Sequence, residues 1–179
     1  MSRTAHITLL ARYNEWMNNK LYDAAAALPA EELAADRGAF FGSLLATLNH
    51  IAVADTIWLK RIASHPRFAT ALAPVAALPA PSALDQPLFD SLHALRERRI
   101  WLDRLILDWT AGLDEADLDA VISYHRMNGE ANNRQLGLLL QHFFNHQTHH
   151  RGQATTLLSQ AGVDVGVTDL LLLIPEAEV

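Results

Sequence analysis

The chain has 179 residues, half of them hydrophobic and 19% charged, which suits one globular domain over residues 1–179 and excludes a disordered chain. Fourteen Lys and Arg against twenty Asp and Glu leave a net charge of −6 without a basic cluster, which argues against a nucleic-acid partner. Cysteine is absent, so disulfides and protein-borne thiols are excluded, and nine histidines remain as the chemical resource. With no targeting signal and no apolar run near the roughly 20 residues of a membrane span, a soluble, cytoplasmic protein is expected.

Helical periodicity dominates. Ile7, Leu10, Tyr13, Met17, Leu21, Ala24, Ala25 and Leu28 recur three and four apart and predict a first helix from Ser2 to Leu28, ended by Pro29. A short loop follows to Gly42. Ser43 then caps a second helix reaching Ser64, where His65-Pro66 stops it. Residues 66–83 hold four prolines and read as a long connection. A third helix is predicted from Ser82 or Asp85 to Ala111, its register marked by Leu88, Leu92, Leu95, Ile100, Leu102, Leu105 and Trp109. Val121–Tyr124 reads as a short strand with a turn at Asn128-Gly129. The fourth helix is predicted from Asn132 or Asn133 to Gln160, with Gly162 as its stop. Asp169–Ile174 should form one or two apolar turns docked on the body. The fold class is all-α: a four-helix bundle whose long helix 2–3 connection permits those two helices to run parallel.

The fourth helix carries His142, His146, His149 and His150 within nine residues. Leu136, Phe143, His150 and Leu157 recur every seven residues, as do Leu139, His146, Gln153 and Gln160. His146 and His150 therefore continue an apolar seam, about 40° apart around the axis and about 6 Å along it, the spacing at which two imidazoles converge on one metal ion. His142 and His149 fall on a flank. A third ligand must come from another helix, and His6, His50, His93 and His125 all compete for it. His50 sits at a seam edge among the small residues Ser43, Thr47 and Ala54. Asp55 lies about 140° around the helix from His50 and reads as structural. Arg151 reads as a surface or interface salt-bridge residue. A histidine-only site should lose its metal as the pH falls through about 6.

Leu48-Asn49-His50-Ile51, the run His146-x3-His150-Arg151-Gly152-Gln153, the pattern Tyr13-Asn14-x-Trp16 and the ending Gln160-Ala-Gly-Val-x5-Asp169-Leu170 together resemble the DinB/YfiT-like family of bacterial metalloenzymes. The resemblance covers essentially the whole chain. It implies an up-down-down-up bundle, often dimeric, with a nickel or zinc ion held by His50, His146 and His150, and with Gln153 and Asn14 lining the site. It further implies a metal-dependent transferase or isomerase that uses a low-molecular-weight thiol cosubstrate on small electrophiles. The alternatives are a metal-dependent hydrolase and a non-catalytic, dimeric metal-binding stress-response protein.

Overall fold

The computed structural model describes residues 1–176; the last three residues of the predicted 1–179 domain lie outside the described residues. The protein is mostly helical, with one two-stranded sheet that amends the all-α expectation. Four long helices, α1 (Arg3–Ala25), α3 (Leu44–Ala63), α5 (Leu92–Ala111) and α6 (Leu136–Gln160), carry the body. The helices α1 and α3 each pack against both α5 and α6, so the four close into a ring around one core. Two short helices, α2 (Ala30–Ala34) and α4 (Ala73–Ala76), interrupt segments expected to be loops. Phe68, Leu72 and Val75 are buried, so the proline-rich connection is docked against α3 rather than loose.

Three helix starts follow from serine caps. Ser2, Ser43 and Ser91 each accept a hydrogen bond from the backbone N–H three residues on, at 3.1, 3.1 and 3.3 Å. The Ser91 cap also corrects the predicted third helix, which begins at Leu92 and not at Ser82 or Asp85. Pro87 disfavours helical backbone at Gln86, and the Asn49 side chain takes the N–H groups of Leu88 and Phe89, so Leu88 belongs to the connection. The first helix ends at Ala25, short of the predicted Leu28.

The last long helix has no side-chain cap. Strand β1 (Val121–His125) pairs antiparallel with β2 (Ala131–Gln135), from Val121 opposite Gln135 to His125 opposite Ala131. The chain passes directly from β2 into α6, and the first N–H, of Leu136, bonds to Ala120 O at 2.9 Å. Asn132 and Asn133 are therefore strand residues facing Tyr124 and Ser123, not a helix start. The turn holds Gly129 at φ +85°. At the far end Gly162 has φ +79°, and the N–H groups of Val163 and Gly162 bond back to Leu158 O and Ser159 O, closing the helix as a Schellman motif. The Leu170–Leu173 turn forms and docks against α1 as expected, with Leu170 and Leu173 partly buried, while Leu171 and Leu172 stay 72% and 61% exposed.

Charge lies at the centre of the ring. Arg99 on α5 is buried between Asp55 of α3, which it contacts through Nη1, and Asp103, 2.9 Å from its Nη2. Asn14 and Asn18 of α1 donate to Asp103 at 3.0 and 2.9 Å. Arg151 of α6 donates to Asn14 Oδ1 and, at 3.3 Å, to Gln147 Oε1. All four long helices thus contribute to one network of two guanidinium and two carboxylate groups. Asp55 is structural, as expected. Arg151 is 3% exposed and bonds α6 to α1, which overturns the surface half of its reading and places it between helices. Burial pushes the Asp55 carboxyl up to about 6, against the pull of Arg99.

Candidate metal centre

His50 enters the α3–α6 seam from α3, while His146 and His150 enter it from successive turns of α6. Their three Nε2 atoms form a nearly equilateral triangle: 3.3 Å from His50 to His146, 3.2 Å from His50 to His150 and 3.1 Å from His146 to His150. Among the described residues this is the one group of three or more ligating side chains whose donor atoms lie within 4.8 Å of one another.

The outer ring nitrogens decide what the inner ones offer. His50 Nδ1 lies 2.8 Å from the carbonyl of Leu84, which can only accept, so Nδ1 carries the proton and Nε2 a lone pair. His150 Nδ1 lies 2.7 Å from Gln153 Oε1, with the same consequence. Lone pairs pointed at one another across about 3.2 Å repel, and with both outer bonds intact the neutral trio has at most one inner proton, on His146, to share between two lone pairs. A cation at the centre removes the conflict. Metal–imidazole bonds of about 2.0–2.1 Å give nitrogen–nitrogen edges of about 3.3 Å in a tetrahedron and about 3.0 Å on an octahedral face. The observed 3.1–3.3 Å edges fall between those values, so the donor set fits a divalent transition metal.

Burial keeps the ligands neutral. Desolvation lowers the pKa of His50 and of His150, and His146, next to both, is pushed down to about 3 by burial and then by its histidine neighbours. Phe41 stacks on His50 with ring centroids 3.9 Å apart and meets His150 edge-on at 5.5 Å, closing one side of the trio. His146 is half-buried, with His142 next along the helix at 6.0 Å.

The remaining candidates fall elsewhere. Gln153 touches His150 and holds its ring. Asn14 is bound into the charge network with Asp103 and Arg151, so the structure does not bring it to the trio. His142 and His149 are exposed, on the expected flank. His6 lines a separate cavity near the start of α1, and exposed His93 pairs with Glu97 at 3.6 Å. Sequence reasoning missed Leu84 and Phe41: a backbone carbonyl leaves no mark in residue identity, and Phe41 reads as an ordinary loop aromatic.

Asn49 clamps the connection a few residues beyond Leu84. Its Oδ1 accepts from the N–H groups of Leu88 and Phe89 at 2.8 and 3.1 Å, and its Nδ2 donates to Phe89 O at 3.0 Å. Asn49→Ala leaves these connection groups unpaired and should cost about 2 kcal/mol of stability. It should also weaken metal binding, because the connection holding Leu84 loosens; chelator competition alongside urea unfolding measures both effects.

The sequence matches the model of the DinB family over residues 1–178. It is 26% identical over 163 residues to Protein DinB of Bacillus subtilis (strain 168), an alignment covering 89% of this chain and 88% of that protein. No solved structure matches.

Proposed function

From the premise that this chain belongs to the DinB family, we propose that His50, His146 and His150 hold one nickel or zinc ion and that the protein is a thiol-dependent transferase or isomerase acting on small electrophiles. The observation that carries the metal is the triangle of Nε2 atoms, with two of its members fixed by outer hydrogen bonds to point lone pairs inward. When bound, an ion with three neutral ligands keeps its full charge and acidifies a water or thiol at its open position. The chain's own groups set the conditions for that chemistry. The Leu84 carbonyl and Gln153 orient two rings, Phe41 shuts water from one side, and the half-buried edge at His146 is the way in. A thiol must arrive as a cosubstrate, because the chain has no cysteine.

We read the ring of long helices as one up-down-down-up bundle, with α3 and α5 parallel across the long connection, and the assembly as a cytoplasmic homodimer. Family membership supports this reading. No helix among the described residues is long and apolar enough to cross a membrane, which agrees with it.

Metal content of untagged protein tests the proposal. About one ion per chain is expected in the wild type and almost none in His50→Ala or His150→Ala, since two remaining ligands hold a divalent ion weakly. In the cobalt-loaded form, added thiol should shift the visible spectrum. Failure of wild-type protein to retain nickel or zinc after loading would overturn the metal reading; an unchanged cobalt spectrum would overturn the thiol.

A further inference from the structure

Next to His146, residues of α3, α6 and the β-hairpin line a groove of about 520 Å3, among them Trp58, Arg61, Tyr124, Arg126, Arg134 and His142. A groove of this volume suits a small molecule. His142 links the groove to the trio: its ring lies 6.0 Å from His146 and meets Trp58 edge-on at 5.1 Å. The Arg61 guanidinium is held over two aromatic rings, 4.7 Å from the centroid of Trp58 and 4.9 Å from that of Tyr124.

The charge balance here is opposite to that of the chain. The protein carries a net charge of −6, yet no carboxylate lines this groove. Arg126 is paired with Glu130 at 3.0 Å, whereas neither Arg61 nor Arg134 has a carboxylate partner among the described residues. Arg61 is half-buried, and desolvation pulls its pKa down. A half-buried cation without a counter-charge attracts an anion, and the flanking rings offer a face on which a planar group can stack.

We propose that this groove binds the anionic end of an elongated, partly planar substrate whose reacting atom reaches the histidine trio. Arg61 lies eleven residues beyond His50 on α3, about 16 Å along the helix, which bounds the separation between the anionic group and the reacting atom. The role as a substrate site rests on the metal proposal above; binding in the groove does not.

The probe is 2-naphthalenesulfonate, a planar anion, with 2-naphthol as its uncharged counterpart, titrated by calorimetry into metal-loaded and metal-stripped protein. Saturable binding of the sulfonate is expected, weakened about 10-fold by Arg61→Gln with Arg134→Gln. Removing two charges elsewhere, by Arg12→Gln with Arg104→Gln, should change it less than about 2-fold. Arg134 is exposed, so Arg134→Gln alone leaves the fold intact and should still weaken binding several-fold. Equal affinity for the sulfonate and the naphthol, equal loss in both double variants, or no saturable binding overturns the proposal. Binding that depends on Arg61 and Arg134 in protein unable to hold metal would support the groove while the metal reading falls.

Discussion

Asp55→Ala should destabilise the protein by about 3–5 kcal/mol. Asp55 is 1% exposed, and its carboxylate is one of two that neutralise the buried Arg99 guanidinium. Truncation leaves two guanidinium groups and one carboxylate at the centre of the ring, and an uncompensated buried charge is among the largest single-residue penalties known. Against a typical total of about 5–15 kcal/mol for a domain, that is a large share. The comparison is Asp23→Ala, which removes a mostly exposed partner of Arg96 and should cost less than about 1 kcal/mol. Urea unfolding at pH 7 followed by circular dichroism measures both. If Asp55→Ala falls within about 1 kcal/mol of Asp23→Ala, the central network does not brace the ring of helices.

The second large effect is in the pH dependence of metal retention. Three histidines with ordinary pKa values near 6.5 would lose roughly 10^4-fold in metal affinity between pH 7 and pH 5, because each must shed a proton to bind. Here burial lowers all three, and His146, at about 3, offers almost no proton competition at pH 5. The loss over that interval should therefore stay below about 10^3-fold, so release moves below the pH of about 6 expected from ordinary histidines. The metal-free protein should show the matching stability change. A histidine whose pKa is depressed by folding takes up its proton more readily when unfolded, so its contribution is complete above about 6.5. For His146 that contribution is lost as the pH falls towards about 3. Titrating bound zinc against pH with a chelator of known affinity, beside thermal unfolding of stripped protein, checks both statements. A full 10^4-fold loss by pH 5 would mean the trio is more hydrated than its burial indicates.

Much of this architecture is legible in residue identities because it depends on local patterns. A serine before a run with 3.6-residue periodicity marks the starts of α1 and α3, and the glycine at 162 marks the end of α6. The heptad count that carries leucine and phenylalanine into His150 places that histidine inward, where it lies. Boundaries set by tertiary contacts are harder to see. Asn132 and Asn133 look like cap residues, but pairing with Tyr124 and Ser123 takes precedence. Leu88 falls in helical register, yet Pro87 and the Asn49 clamp hold it in the connection. Arg151 reads as a surface charge because an isolated guanidinium avoids the interior; the residues that satisfy it lie about 140 positions away or on its own helix, as with Asn14 and Gln147. Spacing could not choose His50 among four candidates, since that choice depends on how α3 faces α6.

His150 and Arg151 are adjacent in sequence, yet they serve different parts of the molecule: the first turns towards His50, the second towards Asn14. The same division recurs on α3, where His50 and Asp55 are separated by little more than a turn. Cohesion and chemistry are thus assigned to separate strata of one scaffold. A lineage, or a designer, can exchange the imidazoles for carboxylates or apolar groups and retune or abolish the reactivity while the brace beneath keeps the helices in register. Such a scaffold is well suited to diversification, because its reactive layer can vary without putting its persistence as a folded protein at stake.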